Sequence, residues 1–338
     1  MAKSADVSRI GDVAARAGVS SATVSRVLAG KPHVSAAVRA RVLEAAAALH
    51  YRPNRIARSL RTQRSRFVGL VVSDIQNPFF NQIVRAVEDA VLPHGFVVFL
   101  CNTDENRERE ARYLELLLDE QVAGIILTPA QTEAAAYRAF SEAGIPLAVI
   151  DREVTGLAVD TVVSDNQAAS RRAVAQLLAE GHTHIGAILS DLTIPTGALR
   201  FAGYRQALAE AGLTFDPELA VFGKPVEAEG YRLSHTLMTR PEPPTALFTG
   251  SKLLTLGVLR YLYAHELRIP ETVALASFDA LEWFPNTPEM LNVTQPAYDI
   301  GKKAAELLLG RIDGSESPAE RVVLSSTVAR VGRQAVAT

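Results

Sequence analysis

The chain has 338 residues, 48% of them hydrophobic and 21% charged, which is too long for one small core and apolar enough for two or three. The formal net charge of -2 hides an asymmetry: residues 1–66 carry 13 Lys/Arg against 3 Asp/Glu, a surplus of +10, and the remainder carries a net -12. A basic N-terminal fifth on an acidic body points to nucleic acid as a partner, although charge alone also suits a solvated basic tail.

The first patterned stretch runs from Asp12 to Leu28. Ala14 and Ala17 are small enough for close helix contact, Gly18 tolerates the left-handed backbone of a corner, and Ser20 suits the cap of a second helix. On that helix Val24, Val27 and Leu28 share the inward face, leaving Ser21, Ala22, Ser25 and Arg26 outward. Small polar groups and one arginine on an exposed helix suit a DNA major groove. After the polar loop 29–33, Ser35 is the expected cap of a third helix reaching about Leu49. Its inward positions are Val38, Val42, Leu43, Ala46 and Leu49, and the three helices form a small headpiece.

Pro53 stops the third helix, and Asn54 to Leu60 has room for two further turns, too short to hold a helix alone in water. Ile56 and Leu60 give this segment an apolar edge, while Arg55, Arg58 and Arg61 supply charge for phosphates. It reads as a helix that forms against DNA and a second copy of itself, or as an ordinary basic linker.

From Arg66 apolar strands alternate with helices. Expected strands are 67–73, 96–101, 124–128, 147–150, 185–190, 246–249 and 273–276; expected helices are 81–92, 107–120, 166–180, 198–211, 252–265 and 300–309. Near-continuous apolar strands between helices indicate parallel sheets covered on both faces, here two doubly wound α/β subdomains. The lone Cys101 ends the run Phe96–Leu100, so no intramolecular disulfide forms and a buried inert thiol in a reducing cytoplasm is expected. No apolar run approaches the ~18 residues of a membrane span, and no secretory h-region opens the chain. Neither phosphate-binding glycine loop occurs, nor H-E-x-x-H, G-x-S-x-G or a Cys/His metal spacing. No metal, no cofactor and no enzymatic activity are expected, and His182 and His184 are assigned structural roles at a helix-to-strand turn.

With headpiece, hinge and body in view, the chain resembles the LacI/GalR family of bacterial transcription regulators (the lactose, galactose and purine repressors among them) along essentially its full length. The resemblance rests on Asp12-Val13-Ala14 through Ala17-Gly18-Val19-Ser20, Thr23-Val24-Ser25-Arg26-Val27-Leu28, and Tyr51-Arg52-Pro53-Asn54 through Leu60. Asp74-Ile75-Gln76-Asn77-Pro78-Phe79-Phe80, Asp151-Arg152, Gly203-Tyr204, Phe278-Asp279 and Gln295-Pro296 also match. It implies an all-α helix-turn-helix headpiece at 1–52, a hinge at 53–66, and a body at 67–338 of the type I periplasmic-binding-protein kind. The N-subdomain takes about 67–164 and 296–324, and the C-subdomain about 165–295 and 325–338. The chain then crosses between them near Ser164-Asp165, Asn292-Val293 and Ser325-Ser326.

The implied function is ligand-responsive, sequence-specific repression, most simply of a carbohydrate operon, by a cytoplasmic homodimer bound to a near-palindromic double-stranded operator within the nucleoid. Ser21, Ala22 and Arg26 correspond to base readers, with Thr23 and Ser25 nearer phosphates, and Ser20 belongs to the same DNA-binding set. Asn54, Arg55, Ala57 and Arg58 belong to the hinge contacts, and Leu60 to a wedge that kinks the minor groove. A sugar, sugar acid or sugar phosphate is the implied effector, held beyond the carboxyl ends of strands by Phe79, Phe80, Thr128, Asp151, Arg152, Arg200, Ser251, Asp279 and Trp283. Arg200 and Asp279 match the family's hydroxyl-binding pair, and Phe79 a ring-stacking position. One departure stands out: relatives often carry Asn-Asp or Asn-Asn where this chain reads Gly250-Ser251-Lys252, a cation that suits an acid or phosphate if it reaches inward. The last nine residues carry no leucine heptad, so a dimer rather than a tetramer is expected. A small-molecule receptor with a vestigial headpiece and an α/β enzyme with a regulatory headpiece are the competing readings.

Overall fold

The computed structural model describes residues 9–28, 34–49, 51, 65–279 and 288–332. The chain divides into two units, Met1–Ser65 and Arg66–Thr338.

In the first unit α1 (Ile10–Ala17), α2 (Ser21–Leu28) and α3 (Ala36–Ala48) enclose Val13, Ala17, Val24, Val27, Val42 and Ala46. Gly18 ends α1 at φ 63°, which lets the Val19 N–H turn back to the Ala14 carbonyl at 3.1 Å. Ser20 Oγ then accepts from the Thr23 N–H at 3.2 Å, and Ser35 Oγ from the Val38 N–H at 3.4 Å, so both expected caps are present. Leu43 departs from its expected inward position and is 51% exposed. Two eight-residue helices cover only a narrow stripe of α3, and the small Ala45 and Ala46 fill it beside Val42. Asn54, Arg55, Ala57, Arg58 and Leu60 lie outside the described residues.

The second unit holds β1 (Phe67–Val72), β2 (Val97–Asn102), β3 (Gly124–Leu127), β4 (Leu147–Ile150), β5 (Asp160–Ser164), β6 (Ile185–Ser190), β7 (Ala220–Gly223), β8 (Ala246–Thr249), β9 (Ala274–Phe278), β10 (Met290–Thr294), β11 (Arg321–Leu324) and β12 (Thr327–Val331). Its helices are α4 (Pro78–Val91), α5 (Arg107–Asp119), α6 (Arg138–Glu142), α7 (Asn166–Ala179), α8 (Pro195–Glu210), α9 (Glu227–Met238), α10 (Lys252–Ala264) and α11 (Ala297–Ile312). The first sheet has the order β11-β5-β4-β3-β1-β2, and the second β12-β10-β9-β8-β6-β7. Pairing is parallel except where β12 runs against β10. Each sheet therefore doubles back around its first strand, which opens a crevice at the carboxyl ends of β1 and β3 and of β6 and β8.

Both sheets are covered on two faces, as their apolar runs require. Ile83 of α4 and Leu308 of α11 pack on Val68 and Leu70, while Leu117, Tyr137 and Phe140 pack on Ile125 and Leu127 from the other side. In the second sheet Leu177 and Tyr204 meet Phe248, and Leu237, Leu254 and Val258 meet Leu247. The α7–α8 contact is close enough to require glycine: a Cβ on Gly203 would stand 2.2 Å from the Gln167 carbonyl oxygen. Cys101 is buried, which pushes its thiol up to about 11. No described helix is long and apolar enough to cross a membrane.

Three crossings join the sheets: Ser164 to Asn166, Gln295–Pro296, and Leu324 to Thr327. The second falls after Asn292–Val293, because β10 keeps its pairing with β12 through Thr294.

Candidate functional site

On the headpiece, the buried Val24 and Val27 orient α2 so that Ser20, Ser21, Ala22 and Arg26 are exposed and Thr23 and Ser25 half-buried. Ser20 also meets the Thr23 hydroxyl at 3.0 Å, so its side chain serves the helix start. The result is a short helix with small outward groups and one guanidinium, a shape that fits a major groove and a donor set that fits phosphate and guanine edges.

In the body, Thr128 follows β3, Asp151 and Arg152 follow β4, Arg200 lies on the helix after β6, Ser251 and Lys252 follow β8, and Asp279 follows β9. Asp151 and Asp279 both adopt left-handed backbone, φ 67° and 56°, each with its N–H held by a neighbouring strand: Val162 at 3.1 Å and Val293 at 2.8 Å. Such backbone is unfavourable for a residue with a Cβ and occurs at sites the surroundings over-determine.

Arg200 is the centre of the assembly. Its Nε donates to Asn166 Oδ1 at 2.7 Å, its Nη2 to Gln295 Oε1 at 3.2 Å, and its Nη1 to the Gly250 carbonyl, while the guanidinium lies 4.0 Å from the Phe278 ring centroid. Burial pulls this guanidinium below its usual range, against the pull of Asp279 and Asp151. Burial likewise pushes both carboxyls up, with Arg152 and Arg200 opposing at Asp151, and Arg200, Gln295 and Lys252 opposing at Asp279. Asp151, beyond the first sheet, and Arg200 and Asp279, of the second, thus lie near enough for their charges to act on one another.

Arg152 is differently employed. Its guanidinium pairs with Glu105 through both terminal nitrogens and donates to the Pro129 carbonyl at 3.1 Å, leaving Nε 3.3 Å from Asp151. Burial opposes its charge, but the Glu105 hydrogen bonds and charge outweigh it and raise the group. Arg152 therefore holds Asp151 and the loop after β3. Ser251 Oγ caps α10 through Leu254 N–H at 3.3 Å. Phe79 and Phe80 meet edge to face with centroids 5.0 Å apart and belong to the first core. Thr128 is fully buried, and its hydroxyl finds no hydrogen-bond partner among the described residues. Lys252 is 7% exposed and turned inward, its charge felt at Asp279. Trp283 lies outside the described residues. No group of three metal-ligating side chains occurs among the described residues, and His182 and His184 instead meet Thr245 Oγ1 and the Glu242 carbonyl, each at 3.1 Å.

A family model described as periplasmic binding proteins and sugar binding domain of LacI family matches residues 65–330, and a second, bacterial regulatory proteins of the lacI family, matches residues 9–54. The chain belongs to the LacI family. Among its relatives, the probable HTH-type transcriptional regulator EndR of Paenibacillus polymyxa is 33% identical over 322 residues, covering 94% of each chain. The ribose operon repressor of Halalkalibacterium halodurans is 33% identical over 308 residues, covering 90% of each. A solved transcriptional regulator CelR–cellobiose complex superposes with a TM-score of 0.71 at 32% identity, covering 96% of this chain and 99% of that one. This LacI-family member is thus a DNA-binding transcriptional regulator of a non-enzymatic family, with a helix-turn-helix unit followed by a periplasmic-binding-like body.

Within that regulator, three cleft residues escaped the sequence reading as site residues: Glu105, Asn166 and Gln295. Gln295-Pro296 had a signal, its family-like dipeptide at the end of an apolar run, but its partners lie far away in the chain.

Proposed function

We propose that this protein is a ligand-responsive repressor, acting as a homodimer on a near-palindromic operator beside carbohydrate genes in a bacterial cytoplasm. Operator DNA is read by Ser21, Ala22 and Arg26, with Thr23 and Ser25 toward phosphates, Ser20 at the start of the same helix, and the hinge at Asn54 to Leu60 completing the contact. A sugar, sugar acid or sugar phosphate occupies the cleft of the body and alters operator affinity through a shift between body conformations. The domain limits 1–52, 53–66 and 67–338 belong to this reading. The observation that carries the ligand assignment is the buried Arg200 and Asp151 and the half-buried Asp279, whose charges act on one another, together with a buried Thr128 hydroxyl that lacks a partner among the described residues. Such convergent donors and acceptors suit paired hydroxyls. Lys252 in the same cleft extends the class to acids and phosphates. The relatives named for a ribose operon and solved with cellobiose support a carbohydrate effector.

The test is selection of binding sites from random DNA, followed by thermal-shift screening of sugars, sugar acids and their phosphates and operator binding with each hit. Arg26→Ala is expected to relax sequence choice, and Arg58→Ala to weaken all sequences alike. The reverse pattern overturns the assignment of readers and positioners. Ligand binding without any selected DNA sequence favours the receptor reading.

A further inference from the structure

Gln295 sits where β10 passes the chain to α11, at the second crossing between the sheets, and it is almost fully buried. Its carbonyl accepts from the Ala297 N–H at 2.9 Å, and its remaining polar groups are engaged as well. Its backbone N–H donates to Asp279 Oδ1 at 3.2 Å and its Nε2 to Asp279 Oδ2 at 2.6 Å. Its Oε1 accepts from Arg200 Nη2 at 3.2 Å and from Ser164 Oγ at 2.8 Å. Ser164 ends β5 at the first crossing, and its Oγ accepts from Asn166 Nδ2 at 3.1 Å. Asn166 Oδ1 in turn accepts from Arg200 Nε at 2.7 Å, which closes a ring: Arg200, Gln295, Ser164, Asn166. The third crossing is tied to the first as well, since Asp165 Oδ1 accepts the Ser326 N–H at 2.7 Å and Arg172 bridges Asp165 to the Ser326 carbonyl.

Only an amide satisfies this position. It must offer one oxygen to two donors and one N–H to a carboxylate; a carboxylate there faces Asp279 with like charge, and an apolar chain leaves Ser164 and Asp279 short of partners. Arg200 and Asp279 are also the groups toward which a ligand would direct its hydroxyls, so any ligand bonding to them acts on atoms that Gln295 already holds. We propose that Gln295 is the positioning residue that ties Arg200 and Asp279 to the crossing segments, so that a change at either is passed to the hydrogen bonds joining the first and second crossings. This rests on the regulatory reading above.

The experiment reads operator affinity of the full-length protein without any ligand, on a DNA fragment selected by the wild-type chain. Gln295→Met is expected to shift the operator Kd tenfold or more, and Ser164→Ala three- to tenfold in the same direction. Tyr204→Phe is the stability control: it removes a buried hydrogen bond to the Ile185 carbonyl at 2.8 Å away from the crossings, lowers Tm and leaves the operator Kd within twofold. Should Gln295→Met fail to fold, Ser164→Ala, which removes one hydroxyl, carries the test. Operator Kd within twofold of wild type for the Gln295 and Ser164 variants overturns the proposal, as does a shift shared by all three in proportion to lost Tm. A wild-type chain that enriches no DNA sequence instead overturns the regulatory reading beneath it.

Discussion

Replacing Arg200 by methionine tests the centre of the cleft. Methionine matches much of the arginine stem but removes three donated hydrogen bonds, to Asn166, Gly250 and Gln295, and the cation over Phe278. Hydrogen bonds from a charged donor contribute about 1.5–3 kcal/mol each in isolation, but the buried guanidinium also carries a desolvation cost that its removal relieves. What decides the sign is what is left behind: the buried Asp151 and the half-buried Asp279 lose the nearby charge that opposes their burial, and the acceptors on Asn166, Gly250 and Gln295 lose a donor. Leaving these buried acceptors without their charged donor costs about 3–5 kcal/mol, expected as a fall in Tm of roughly 6–20 °C for a body of this size. Urea unfolding of the full chain at pH 7.5, followed by circular dichroism, gives the free energy directly. Adding Asp279→Asn to Arg200→Met neutralises one stranded carboxyl, and the double variant is expected to recover about 1 kcal/mol or more relative to the sum of the singles. A loss below about 1 kcal/mol for Arg200→Met, or strict additivity with Asp279→Asn, refutes a cleft organised by mutual charge compensation.

The Asp151 carboxyl is raised above its ordinary 3.8, chiefly by burial, so folding favours its protonated form. Its contribution to stability is present below 3.8 and lost as pH rises through the raised value. Asp151→Asn is therefore expected to raise Tm at pH 7.5, with the gain shrinking as pH falls toward 4; a gain independent of pH contradicts the assignment. Gly203→Ala places a methyl 2.2 Å from the Gln167 carbonyl, forcing α7 and α8 apart at a cost of about 1–3 kcal/mol or more, read from the urea midpoint. An unchanged midpoint means the helices do not meet as closely as described. Ser20→Ala removes the acceptor for the Thr23 N–H and is expected to cost the headpiece about 1 kcal/mol, seen as roughly fivefold faster hydrogen exchange at Thr23. Exchange at the wild-type rate there would show that the cap contributes nothing.

Much of the fold is legible in local pattern. Gly18 between two short apolar helices, and Val24 with Val27 on one helical face, predict the corner and its outward side chains because both depend on neighbours within a few residues. The central strands are legible for a related reason: a strand covered on both sides is apolar throughout, as β1, β3 and β4 are. The elements that escape lack such a local signature. Strand β5, Asp160-Thr-Val-Val-Ser164, carries polar residues at both ends, where Asp160 binds Arg311 and Ser164 binds Gln295. Strands β11 and β12 lie at sheet edges and are largely exposed, while α9 carries a glycine and several polar residues within its apolar stripe. Leu43 shows the opposite failure: periodicity places it inward, but the headpiece is too small to cover it.

The sequence by itself determined which helix turns small polar groups and Arg26 outward, which strands are buried, and that Arg200 and Asp279 stand just beyond strand ends. Tertiary structure alone decided what those residues do to one another. It turned Arg152 toward Glu105, gave the Ser251 hydroxyl to a helix start, and drew Lys252 inward beside Asp279. It also joined Gln295 to Ser164 across 131 residues of chain. The physical reason is that apolar burial repeats along an element and so leaves a period. A buried polar contact is made once, between groups that only the folded chain brings together.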